Sequence, residues 1–210
     1  MSGSLEIAQA RLQSRHGERP SGATWSALHA AVAMPALLEA ARATPFKAWT
    51  AGIESAGAPQ DVERLLRERL RARIEEVSRW MPPQWRAAVA HTTALLDLAA
   101  DGHTAQARAK WLHEFRARWP SGRSEDRLAM EELVALVERH VATFARVPAD
   151  EAWPRRLALH SRLQWLFRKH ALTAAAAFAY LAILALDVER LRAELVAQEG
   201  LAPRLRWDGP

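Results

Sequence analysis

The chain has 210 residues, half of them hydrophobic and a quarter charged, and its net charge of +5 is carried almost wholly by arginine, since Lys47, Lys110 and Lys169 are the only lysines. That composition suffices for a sizeable core and permits an anionic partner without demanding one. The absence of cysteine excludes disulfides, thiolate catalysis and zinc–thiolate sites, and the first twenty residues hold no apolar run of the kind a secretory leader needs, so the expected location is cytoplasmic.

Leu5 to Arg15 is expected as a short helix with Leu5, Ala8 and Leu12 on one side. Thr24 is the expected N-cap of a second, turning Trp25, Leu28 and Val32 inward. Pro35 suits the first turn of a third, with Leu37, Leu38 and Ala41 inward, and Phe46, Trp49 and Ile53 continue as a further apolar turn after Thr44-Pro45. Asp61 to Met81 is a long amphipathic pattern whose stripe is Val62, Leu65, Leu66, Leu70, Ile74, Val77 and Trp80, with charges of both signs on its other faces. Pro82-Pro83 breaks it. Gln84 to Ala100 is expected as the next helix and Ala105 to Trp119 as the one after. Ser124 is the expected cap of Glu125 to Ala145, with Leu128, Leu133, Leu136, Val137, Val141 and Phe144 inward, and Trp153 to His170 follows.

Lys169 to Glu199 is the longest stretch free of glycine and proline, and as one helix it would span about 45 Å. Ala171 to Leu186 carries no charge, so that half must be surrounded by other helices; it is too short and too rich in alanine to cross a membrane. Gly200 is the expected stop. Strand signals are nearly absent. The expected class is all-α: a single domain over residues 1–210 of about eight to ten helices arrayed around the long C-terminal one, with a short-helix part at 1–56, a long-helix part at 59–200 and a tail at 201–210.

Motifs for phosphate, dinucleotide or nucleophile-elbow chemistry are missing, and the eight histidines are scattered. No catalytic residue, cofactor or metal is expected. Glu75-Glu76 and Glu131-Glu132 are adjacent on helices and so point about 100° apart, which does not make an acid/base couple. Asp187 and Glu189, with Arg190 and Arg192, admit two readings: an ion-pair network at the end of the core, or a helix emerging into water, which is the simpler one. Most of the nine tryptophans are expected in the core, with a minority as exposed anchors. The densest basic patch, Arg155, Arg156, Arg162, Arg168 and Lys169 together with His160 and His170, shares a helix with Trp153 and Trp165 and supplies the candidate partner-binding residues. It suits an acidic protein surface or phosphates, or it is a solvated face; with no recognisable reading module, nucleic acid is the weaker partner.

Two segments carry a family resemblance. Near the C-terminus stand Ala179-Tyr180-Leu181 and then Asp187-Val188-Glu189-Arg190-Leu191-Arg192; near the N-terminus stand Ala10-Arg11-Leu12, Trp25, Leu28, Leu37-Leu38 and Thr44-Pro45-Phe46, followed by the helix Glu63 to Ile74. Together they resemble the V-type/A-type ATPase family of rotor-to-stalk linkers, the C-type subunits, designated d in eukaryotes. This chain is shorter than typical members, so the resemblance implies a shortened or divergent one. It implies a non-enzymatic adaptor linking the membrane rotor ring to the central stalk of a rotary ATPase, aiding proton or other ion transport. Rotor-ring and stalk subunits would be its partners, and it would lie peripheral to the inner membrane without a span of its own. The alternative, from the residues alone, is a stand-alone helical protein-interaction or nucleic-acid-binding module.

Overall fold

The computed structural model describes residues 4–54, 58–101, 104–121, 124–144 and 148–198. These form ten helices of eight residues or more and one single turn, with no strand among them. In chain order they are α1 (Leu5–Gly17), α2 (Gly22–Ala30), α3 (Met34–Arg42), the turn α4 (Lys47–Thr50), α5 (Pro59–Trp80), α6 (Pro83–His91), α7 (Ala94–Asp101), α8 (Ala105–Ala117), α9 (Ser124–Phe144), α10 (Ala149–Lys169) and α11 (Ala174–Gln198). The expected all-α domain with a long C-terminal helix is what the chain adopts. Within it the described residues group into two compact units, 4–14 with 71–184 and 15–70 with 185–198. The grouping therefore cuts across the sequence order of short and long helices.

The first unit is built on the apolar half of α11. Residues Ala174 to Leu181 are all buried, as are Ile183 and Leu184. Five alanines in that run lose no side-chain entropy on folding and let neighbouring elements approach closely, while Phe178 and Tyr180 supply bulk. Phe178 meets Phe115 edge-on at 5.2 Å and Trp85 at 6.2 Å, and Phe115 in turn stacks on Trp111 at 4.9 Å and meets Trp119 edge-on at 5.5 Å. Such ring pairs add about 0.5–1.5 kcal/mol each beyond the area they bury. His91 closes the row, stacked on Trp111 at 5.6 Å; burial, with help from the charge of Arg118, pushes its pKa below the usual histidine value. α9 and α10 run antiparallel, since Glu132 meets His170 near one end of the pair and Phe144 meets Arg156 near the other.

The second unit buries Leu28, Leu37, Ala41, Phe46, Ile53, Val62, Leu66 and Leu70 from the first third of the chain, and Val188, Leu191 and Leu195 from α11. The α5 stripe is buried as its periodicity predicts, save that Leu65 is only half-buried.

Several expectations give way. The last helix does not begin at Lys169: α10 runs to that residue, the chain turns through 170–173, and α11 starts at Ala174, leaving a helix of about 37 Å. Leu172 makes the turn at φ 66°, with no glycine in the sequence to announce it. Gly200 and the tail lie outside the described residues. The span Gln84 to Ala100 is two helices, because the hydroxyls of Thr92 and Thr93 bond back to the carbonyls of Val89 at 2.7 Å and Ala90 at 2.8 Å and close a turn there. The cap of α2 is Ser21, whose hydroxyl accepts the backbone N–H of Thr24 at 3.2 Å. Val32 falls beyond the end of α2 and is exposed, and Leu128 in the first turns of α9 also faces solvent.

Candidate functional site

The basic patch expected from the sequence lies on α10, in the first unit. Pro148 opens that helix, and its exposed positions 155, 158, 162, 165 and 169 recur at helical spacing along one face. Arg155, exposed, pairs with Glu151 one turn back at 3.5 Å. Arg162 and Arg168 are exposed and have no ion pair among the described residues. Arg156 leaves the group: it is one residue round the helix, half-buried, with its guanidinium 4.3 Å over the Phe144 ring and 6.0 Å from that of Trp153. Four of the five predicted cations thus share the solvent side, and one is a packing residue.

Lys169 is tethered. Its Nζ donates to both oxygens of Glu132 at 2.7 Å and sits 4.6 Å from the ring centre of Trp165. His170 Nε2 is also 2.7 Å from Glu132. The hydrogen bonds from Lys169, and then from His170, hold the Glu132 carboxyl below its ordinary pKa. Trp165 remains 51% exposed, whereas Trp25, Trp49, Trp80, Trp85, Trp119 and Trp153 are buried. The division of tryptophans into a core majority and an exposed minority is therefore seen, with Trp165 as the exposed one of those seven. Trp207 lies outside the described residues.

A second charged constellation lies in the second unit, where the simpler sequence reading expected a solvated helix. Asp187, Arg190 and Glu194 of α11 are all buried, at 4–5% exposure. Asp187 accepts a two-pronged bond from Arg19, Nε to Oδ2 at 2.7 Å and Nη2 to Oδ1 at 3.0 Å. Arg19 comes from the connection between α1 and α2, a Gly- and Pro-containing stretch that reads as mere loop. Arg190 lies over the Trp25 ring at 4.1 Å, and burial pulls its pKa down to about 10 against the opposing pull of Glu194 and Asp187, so it stays charged at neutral pH. His29 Nδ1 lies 3.3 Å from Glu194 Oε1. Arg192, by contrast, is exposed and reaches Glu63 at 3.4 Å. The network exists, but its partners are Arg19, Trp25 and His29 from the other end of the chain. The missed signal was the i, i+3, i+7 spacing of Asp187, Arg190 and Glu194 beside the buried Leu191 and Leu195.

Chemically the two sites differ. Bidentate arginine–carboxylate pairing in a buried setting fixes orientation and tolerates little displacement. The α10 face offers unengaged guanidinium groups beside an exposed indole, a combination suited to holding anionic groups or a partner protein. Comparison with protein-family models, curated proteins and solved structures finds no match.

Proposed function

We propose that this chain is a non-enzymatic adaptor, a shortened relative of the protein that links the membrane rotor ring of a V/A-type rotary ATPase to its central stalk, and that it thereby aids ion transport. The observation that carries this reading is where the two resembling ends meet. Arg190 of the C-terminal motif lies over Trp25, and Trp25 packs edge-on against Phe46 of Thr44-Pro45-Phe46 at 4.8 Å. Residues that carry the resemblance are thus each other's neighbours, which supports reading them as one module rather than two chance likenesses. A body that passes torque must be stiff, and buried paired charges supply stiffness because separating them strands a desolvated ion. No helix among the described residues is long and apolar enough to cross a membrane, which suits a peripheral place on the complex.

The test is recovery of the tagged full chain, at native level, from its own cell. Rotor-ring and central-stalk subunits are expected to co-purify, and to be lost with Asp187→Ala. Recovery of no rotary ATPase component would overturn the reading. The exposed face of α10 favours a second one, a stand-alone helical interaction module. Retention on nucleic acid at low salt that disappears when the exposed Arg155, Arg162 and Arg168 become glutamate would select its nucleic-acid form.

A further inference from the structure

At the corner where α10 turns into α11, in the first unit, several independent features coincide. Leu172 is 52% exposed and holds φ 66°, a conformation that bulky side chains rarely adopt and that glycine would take without strain. Trp165 is 51% exposed and Leu128 72%. Hydrogen bonds between their neighbours set them around one corner. Asp126 accepts the backbone N–H of Ala174 at 3.4 Å, and Glu132 binds Lys169 and His170. Those two ties bracket Leu128 on α9 and Leu172 on the turn. Lys169 covers one face of Trp165, and Arg162 and Arg168 flank that tryptophan at three residues on either side. An exposed leucine held in a strained turn and an exposed tryptophan on the helix leading to it contribute nothing to the fold that glycine and a polar residue would not. Apolar clusters of this kind rimmed by charge mark contact surfaces, and tryptophan and arginine dominate their energetics.

We infer that this corner is the docking surface for an acidic segment of a partner protein, with apolar side chains of that segment on Trp165, Leu172 and Leu128 and its carboxylates on Arg162 and Arg168. The sign of the partner follows from the charges left over: the carboxylate at the centre, Glu132, is already engaged, exposed Glu125 and Arg127 beside Leu128 offset each other, and Arg162 and Arg168 have no ion pair among the described residues. A protein fits better than an anionic membrane, because two unpaired arginines fall short of the about four to eight clustered cations that hold a chain to an anionic lipid surface. It also fits better than nucleic acid, to which Leu128 and Leu172 offer neither a stacking plane nor a charge. The inference rests on the adaptor reading for there being a partner, but not for which partner it is.

The experiment places a photo-crosslinking residue at Ser161 or Ala171, both exposed neighbours of the corner, in the full chain in its own cell, and maps the captured segment by mass spectrometry. Both positions are expected to capture the same acidic, apolar segment. Arg162→Glu with Arg168→Glu is expected to cut the yield at least about tenfold. Leu172→Gly is expected to cut it as well while thermal melting stays level or rises, which separates loss of docking from loss of fold. Capture of lipid, of nucleic acid or of a basic segment, or no capture at either position, would overturn the inference. An acidic segment belonging to a protein outside the rotary ATPase would keep the docking surface and remove the rotary reading. Recovery of ATPase subunits with no crosslink at this corner would do the reverse.

Discussion

Arginine plays opposite parts in the two units. In the second, Arg190 is buried and Arg19 half-buried, set against Trp25 and Asp187, and each guanidinium is fixed by what surrounds it. In the first, Arg162 and Arg168 stand on an open helix face beside Trp165. The residue type is the same, but its surroundings decide its effect. A desolvated arginine must be matched or the fold suffers, so it acts as a lock. A hydrated one adds almost nothing to the fold and stays available to another molecule.

Removing a buried carboxylate should break the lock outright. Asp187→Ala removes the carboxylate that Arg19 binds and is expected to lower stability by about 3–5 kcal/mol in urea denaturation. Adding Arg19→Leu should recover part of that, because the stranded charge goes too. A loss below about 1 kcal/mol would mean the cluster is far wetter than its burial indicates. The tether beneath the open face should be weaker. Glu132→Gln is expected to cost at most about 1 kcal/mol at neutral pH, since both partners are partly solvated. Because the folded carboxyl is held below its ordinary value of 4.5, its contribution is present above that pH and lost as pH falls through the folded pKa. Wild type and variant melting curves should therefore converge in acid; a gap that persists there would assign the stability to shape rather than charge. Smallest of all, Arg162→Glu should shift stability by no more than about 0.5 kcal/mol in the same denaturation series. A larger loss would show that the face is part of the fold after all.

Much of the fold was legible because local pattern and burial agree. The α5 stripe from Val62 to Trp80 and the uncharged half of α11 were readable from spacing alone. What was not legible depended on a single dihedral or on a distant partner. Nothing in Lys169-His170-Ala171-Leu172 marks a turn, since the residue taking the left-handed conformation is a leucine. Val32 and Leu128 sit at the right intervals, but α2 stops before the one and α9 turns the other to solvent. On α10 the basic residues were visible as a run, yet only the structure separates Arg156, packed on Phe144, from Arg162 and Arg168. The buried cluster was half visible: one wall is periodic on α11, whereas the other is Arg19, a single residue in a loop.

The tie between Arg19 and Asp187 spans 168 positions of sequence, and that span imposes an order of events. A ribosome adding about 5–20 residues per second needs roughly ten to thirty seconds to cover it. For most of that interval residues 15–70 have been made, but the stretch of α11 that completes their unit has not. The apolar heart of the first unit waits for the same helix. The nascent protein thus holds its hydrophobic segments unsatisfied until α11 emerges. Closure is a late, long-range step of the kind that slows folding and favours chaperone contact during synthesis.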